Sequence, residues 1–272
     1  MTKRILITGA SSGIGEGTAL YFLEKGWKVA ATMRNPDANT SLPEHDNLIK
    51  LRLDVTDTES IAQSVSAVEE AFGGVDVVLN NAGYGTAGPF EAATEAQVKR
   101  QFDVNVFGVM AVTRAFLPLF KAQKSGLFIN VSSIGGLITF PIFSLYHATK
   151  WAIEGFSESL SYEVKDFGIQ VKILEPGGVK TDFAGRSLDM FDVSKTPEYV
   201  PLVERMVSNF SEEREAGYST PRDMAEVIYT AATDGSNQLR YIAGADAKAM
   251  WQARQSMPVE AFMENTRQQM LG

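Results

Sequence analysis

Short apolar runs alternate with longer amphipathic stretches along most of this chain. Runs rich in Ile, Val and Leu predict buried strands over 3–8, 28–33, 49–55, 75–79, 127–132 and 169–174. Between them, apolar residues at helical spacing predict helices over 14–25, 58–72, 95–122 and 144–167. Strands that alternate with helices of this length imply parallel crossovers, with helices covering both faces of one sheet. The expected fold is therefore α/β, a Rossmann-type doubly wound parallel sheet. From 181 to about 220 the pattern breaks into mixed polar and aromatic segments, too long for an ordinary connection, so 182–220 is expected to be a lid or small insertion. A helix over 221–233 and a strand over 239–242 resume the pattern, and the chain from 246 reads as a helical tail. The expected organisation is one domain over 1–245, carrying that insertion, and a tail over 246–272.

Composition narrows the chemistry. The 272 residues carry a formal charge of −8, which argues against nucleic acid or an anionic membrane as partner, since both call for a basic patch. Arg114, Pro118 and Pro141 interrupt the longest apolar stretches before they reach the roughly 20 residues of a membrane span. The opening MTKRILITGA runs directly into a glycine turn rather than a signal-peptide cleavage site, so a cytoplasmic location is expected. With no Cys and two His, thiolate catalysis, disulfides and zinc are set aside, and no metal is expected.

The first strand ends in TGASSGIG, Thr8 to Gly15, and leads straight into a helix, so backbone N–H groups at a helix start face whatever sits on the turn. Further along stand Asp54 and Val55 after the third strand, Asn-Asn-Ala-Gly at 80–83 after the fourth, and Asn105 in the following helix. Ser133 follows the fifth strand, Tyr146 and Lys150 form a Tyr-x-x-x-Lys motif, and Pro176-Gly177 follows the sixth. The glycine spacing is G-x-x-x-G-x-G rather than G-x-G-x-x-G. In this order, over residues 3–182, these motifs resemble the short-chain dehydrogenase/reductase family.

The resemblance implies hydride transfer to or from a nicotinamide dinucleotide, with Ser133, Tyr146, Lys150 and Asn105 as the catalytic set. Tyr146 and Lys150 lie one turn apart on a helix face, and a nearby ammonium is expected to lower the phenol from its ordinary value of about 10. Tyr146 would then serve as general acid for carbonyl reduction and as general base for the reverse. Ser133, preferred over its neighbour Ser132 because it stands thirteen positions before the tyrosine as in the family, would hydrogen-bond the substrate oxygen. Asn105 matches the family's helix-distorting asparagine, which holds a water that links Lys150 to solvent.

The resemblance also assigns the cofactor site. Gly9, Ser11, Ser12, Gly13, Ile14 and Gly15 would cradle the pyrophosphate; Asp54 and Val55 would flank the adenine; Asn81, Ala82 and Gly83 would line the ribose side. Lys150 would hydrogen-bond the nicotinamide ribose and Val179 and Thr181 would contact the nicotinamide amide, with Tyr146, Pro176 and Gly177 also in the cofactor site. Met33 stands where NAD-preferring members carry an acid, and Arg34 follows it, as in NADP-preferring members. NADP(H) is thus the expected cofactor, with NAD(H) left open through Asp37. Tyr84, Phe140, Phe143, Phe183 and Met190 suggest a pocket for a hydrophobic ketone or secondary alcohol. The ending, with Trp251 in the tail, is similar to the hydroxysteroid and retinol dehydrogenase-like branch.

Two other readings stay open: a polar sugar, polyol or ketoester substrate for the same tetrad, and a binding protein that senses NADP(H) without turnover. His147 is expected to pack rather than react. Phe116, Phe120, Phe156 and Leu160 suit either the chain's own sheet or a four-helix contact with a second copy, and a homo-oligomer, dimer or tetramer, is expected.

Overall fold

A computed structural model describes residues 2–183, 185–208 and 216–272. Seven parallel strands form the central sheet: β1 (Arg4–Thr8), β2 (Lys28–Met33), β3 (Leu48–Arg52), β4 (Val77–Asn80), β6 (Gly126–Val131), β7 (Ile169–Pro176) and β9 (Arg240–Ala243). Their order is β3-β2-β1-β4-β6-β7-β9, so the winding reverses between β1 and β4. Ile5, Leu6 and Ile7 pair with Val29, Ala30 and Ala31 on one side and with Val77, Val78 and Leu79 on the other. At such a reversal the connections leave in opposite directions, which opens a crevice beyond the strands' carboxyl ends. The glycine turn after β1 and the Asn-Asn-Ala-Gly turn after β4 meet there.

One face of the sheet is covered by α1 (Gly13–Glu24) and α7 (Pro221–Thr233), around Phe22, Trp27, Met224 and Ile228. These two helices approach closely because Gly17 has no side chain; a Cβ there would lie 2.8 Å from that of Pro221. The other face is covered by α2 (Thr58–Phe72), α4 (Gly108–Gln123) and α5 (Ser144–Val164). Phe116, Phe120 and Leu160 are buried there against their own sheet, with Phe156 packed beside them. The side chains these helices leave exposed are different ones: Trp151 at 51% and Tyr162 at 75%, with Phe107 at 57% just before α4.

The expected helix over 95–122 is three pieces: α3 (Glu95–Phe102), a wider π-turn (Asp103–Phe107) and α4. Pro118 does not end α4, although its ring nitrogen donates no helical hydrogen bond. The stretch Glu95–Gln123 is consequently long and apolar enough, by length and composition, to cross a membrane. Here its apolar face is spent on the sheet, through Val112, Phe116 and Phe120.

A second, two-stranded sheet joins β5 (Gly85–Ala87) to β8 (Leu188–Met190), pairing Gly85 with Leu188 and Ala87 with Met190. It ties the start of the expected insertion to the segment after the Asn-Asn-Ala-Gly turn. α6 (Val200–Ser208) follows; residues 184 and 209–215 of the expected lid lie outside the described residues. The tail forms α8 (Ala245–Gln255) and α9 (Val259–Leu271), which enclose a small core of Ile134, Ile138, Ala247 and Phe262.

Candidate active site

The glycine turn is built for close approach. Gly9 and Gly13 have φ of 68° and 59°, which disfavour any side chain. Gly15 is tighter still: a Cβ would sit 2.4 Å from the Gly9 carbonyl oxygen and 2.6 Å from Asn81 Nδ2. Asn81 Nδ2 fastens the turn from the β4 side, donating to Thr8 O at 2.9 Å and Gly9 O at 3.1 Å. The Thr8 hydroxyl accepts from the Asn81 and Ala82 amides at 2.9 and 3.0 Å. Ser12 precedes α1 without capping it through its side chain, and Ser11 is exposed, so the amides that open the helix are left to an external anion. These features fit a dinucleotide pyrophosphate. Ile14 packs against the core beneath α1, Gly83 faces Asn105, where a Cβ would come within 3.2 Å of Oδ1, and Val55 packs beneath the π-turn, where a Cβ on Gly108 would meet Val55 Cγ2 at 2.7 Å. Asp54 Oδ1 closes its own turn on the Thr56 amide and hydroxyl, at 2.9 and 2.7 Å. Arg34 is exposed just past β2 and forms no ion pair among the described residues.

The four expected catalytic residues converge from three elements. Tyr146 and Lys150 stand on α5, and the Lys150 Nζ lies 5.6 Å from the Tyr146 ring centroid. That ammonium donates to Val131 O at 2.9 Å, at the end of β6. The Ser133 hydroxyl, two residues on, accepts from the Gly135 amide at 3.0 Å, donates to Pro176 O at 3.5 Å and lies beside the Tyr146 phenol. The phenol is pushed up by burial, an effect that the neighbouring Ser133 hydroxyl opposes. The downward shift expected from Lys150 is therefore not what the chain alone produces, because the ammonium lies beside the ring and is turned to a carbonyl. Burial lowers Lys150 itself to about 8, opposed by Glu154. Asn105 is buried within the π-turn and donates to Tyr84 O at 2.8 Å and Thr149 Oγ1 at 3.2 Å.

Beyond β7, the Pro176-Gly177-Gly178 turn is held by Asp246 at the start of α8, whose Oδ2 accepts from the Gly178 amide at 2.7 Å. Val179 O accepts from the Thr181 amide at 2.8 Å, and Thr181 reaches across the glycine turn, within 3.3 Å of a Cβ placed on Gly13. Phe183 then lies 6.0 Å from Tyr146 between ring centroids, so residues 181–183 run from the phosphate turn to the tyrosine. Phe143 stands 6.4 Å from Tyr146, and Met190 is exposed on β8. The remaining two expected pocket residues pack elsewhere. Tyr84 lies under the Arg100 guanidinium of α3 at 5.1 Å, and Phe140 joins the small core beneath the tail. Arg186 pairs with Asp182, and Arg222 pairs with Glu24, all four exposed at the surface.

The sequence profile described as short chain dehydrogenase matches residues 3–190, about two thirds of the chain. The chain belongs to the short-chain dehydrogenase family. An uncharacterized oxidoreductase of Schizosaccharomyces pombe is 41% identical over 244 residues, 88% of this chain and 99% of that protein. Retinol dehydrogenase 8 of Bos taurus is 32% identical over 247 residues, 83% of this chain and 76% of that one. A short-chain dehydrogenase from Streptomyces avermitilis superimposes with a TM-score of 0.80 at 34% identity, covering 94% of this chain and 92% of that one. ElxO with NADP bound gives 0.74 at 27% identity, covering 89% and 98%. As a member of this family the protein is an NAD(P)-dependent oxidoreductase.

Three groups of side chains in this short-chain dehydrogenase escape sequence reasoning. Asp246 opens a tail helix in sequence, and nothing nearby signals its reach to Gly178. His147 is buried as expected, yet it does more than fill space. Its Nε2 accepts from the Phe140 amide and its Nδ1–H donates to Gly135 O, both at 2.8 Å, so the neutral ring clamps the loop that follows Ser133. Behind Lys150, buried Glu154 and Glu175 share Arg240. The one available hint was a Glu in a strand whose neighbours Ile173, Leu174 and Pro176 are apolar.

Proposed function

We propose that this protein is an NADPH-preferring carbonyl reductase, reversible as a secondary alcohol dehydrogenase, that acts on a hydrophobic ketone. The observation that carries the reading is the Tyr146 hydroxyl, beside Ser133, with Lys150 next to its ring and Phe143 and Phe183 around it, at the open end of the glycine turn. The nicotinamide, when bound, supplies the hydride. Ser133 donates to the ketone oxygen and fixes it near the phenol, and Tyr146 delivers its proton to that oxygen as negative charge develops there. Lys150, charged, bonds the nicotinamide ribose and steadies the resulting phenolate. Asn105 holds the π-turn against Tyr84 and Thr149, which keeps the floor of the site in register.

NADPH preference rests on Arg34, whose free guanidinium suits the 2′-phosphate, and on Met33, which puts no carboxylate at the ribose. ElxO, similar in fold and sequence, binds NADP. In this reading residues 182–220 are the substrate lid, zipped to the core through β5 and β8, and 246–272 brace the nicotinamide side through Asp246. Exposed Phe107, Trp151 and Tyr162 form the face for a second copy, giving a homo-oligomer.

The test is purified protein with NADPH against a panel of apolar and polar ketones, followed by NADPH absorbance. Turnover that favours bulky apolar ketones supports the reading. Preference for sugars or ketoesters moves the substrate class, and tight NADPH binding without turnover of any ketone gives the sensor reading instead.

A further inference from the structure

A charged cluster behind Lys150 plays no part in the steps above. Glu154 stands one turn beyond Lys150 on α5, on the same helical face, and is buried. Glu175, next to last in β7, is 0% exposed. Arg240, opening β9, serves both: its Nε lies 3.2 Å from Glu154 Oε2 and 3.4 Å from Glu175 Oε1, while Nη2 holds Glu158 Oε2 at 2.7 Å. The buried Ser132 hydroxyl and Glu154 Oε1 both lie against Gly136, and neither meets a hydrogen-bond partner among the described residues. Gly136 leaves the room this requires, since a Cβ there would come within 2.6 Å of Ser132 Oγ and 2.9 Å of Glu154 Oε1.

The charges do not balance if both acids ionise. Apart from the Arg240 ion pair, neither Glu175 oxygen meets a hydrogen-bond donor among the described residues. Sharing the Arg240 Nε brings the Glu175 and Glu154 carboxyls side by side, an arrangement that becomes favourable when one of the two acids holds a proton. A buried carboxylate pair with one guanidinium, itself shared with a third acid, settles at one proton and one negative charge.

We propose that Glu154 and Glu175 hold this single proton and single charge between them, the proton on Glu175 and the charge on Glu154, and that Glu154 is the counter-ion that keeps Lys150 protonated. Both are positioning residues, and the inference rests on the reading of Lys150 given above. Burial and the Glu154 charge push Glu175 up to about 9, and Glu154 opposes the burial that lowers Lys150. The titratable and charged groups around the cluster are Tyr146, Lys150 and Glu158 on α5, Glu175 on β7 and Arg240 on β9; Asp246 on α8 is engaged with Gly178.

The test reads NADPH affinity by fluorescence titration, and kcat/KM, across pH in Glu154→Gln, Glu154→Asp, Glu175→Gln and Lys150→Met. Removing the Glu154 charge lets Lys150 lose its proton earlier, so in Glu154→Gln the alkaline loss of affinity and rate moves down by about one pH unit. Glu154→Asp restores the wild-type limb. Glu175→Gln keeps it as well, because the amide copies a neutral acid. The proposal is overturned if Glu154→Gln keeps the wild-type limb while Lys150→Met is impaired, or if Glu175→Gln shifts the limb by itself. The second criterion stands even if Glu154→Gln does not fold. If Lys150→Met has full affinity and rate, the functional reading of Lys150 falls instead.

Discussion

His147 ties the stability of the site to pH. Its Nε2 accepts from the Phe140 amide, so a proton added there turns an acceptor toward a donor and breaks that bond. Burial holds the folded imidazole below its ordinary value, with the Gly135 bond opposing. As pH falls through about 6.5, the unfolded chain takes the proton before the folded one, and stability declines until the folded value is reached. The slope is at most about 1.4 kcal/mol per pH unit. Replacing the ring by Gln removes this titration and leaves one bond of the clamp unmade, at a cost of about 1–3 kcal/mol. Urea unfolding of wild type and His147→Gln at about pH 7.5 and about pH 5.5 should therefore show wild type ahead at the higher pH and its advantage smaller at the lower one. Contributions from groups other than His147 are common to both proteins and cancel in the difference. An advantage that stays constant between the two pH values would refute the reasoning.

Gly15→Ala should weaken NADPH binding at least about tenfold, because its Cβ meets backbone 2.4 Å away rather than a yielding side chain; unchanged affinity in a fluorescence titration would remove the turn as the cofactor cradle. Arg34→Ala should reduce kcat/KM with NADPH about ten- to hundredfold and leave NADH little changed; equal losses with both would refute the 2′-phosphate role. Asp246→Ala should cost about 1–2 kcal/mol of stability through the Gly178 bond and raise the Kd for NADPH, and calorimetry measures both; an unaffected Kd would detach the tail from the cofactor site.

The sheet, its order of elements and the phosphate turn were legible because buried parallel strands are continuous apolar runs and because positive φ calls for glycine. Tyr146, Lys150, Ser133 and Asn105 were legible as spaced motifs. Three kinds of feature were not. β5 and β8 are three residues each, too short to show alternation, and they pair across about a hundred residues. Asp103–Phe107 has the composition of an ordinary helix, so its π geometry is set by what Asn105 reaches. Lys172 and Glu175 sit in β7 as ionisable side chains whose burial depends on Asp234 and Arg240, partners more than sixty residues away. The aromatic positions divided similarly: side chains that read alike as pocket lining separated into Phe143 and Phe183 beside Tyr146 and Phe140 under the tail, according to which helix closes over them.

The central claim is that the Tyr146 proton goes to the substrate oxygen, and Tyr146→Phe tests it most directly because the ring stays and only the hydroxyl is lost. NADPH affinity and the reduction rate of the best ketone are measured on the same preparation. The account predicts affinity within a few-fold of wild type and a rate lower by at least about a hundredfold. A variant that reduces the ketone at close to the wild-type rate would contradict it.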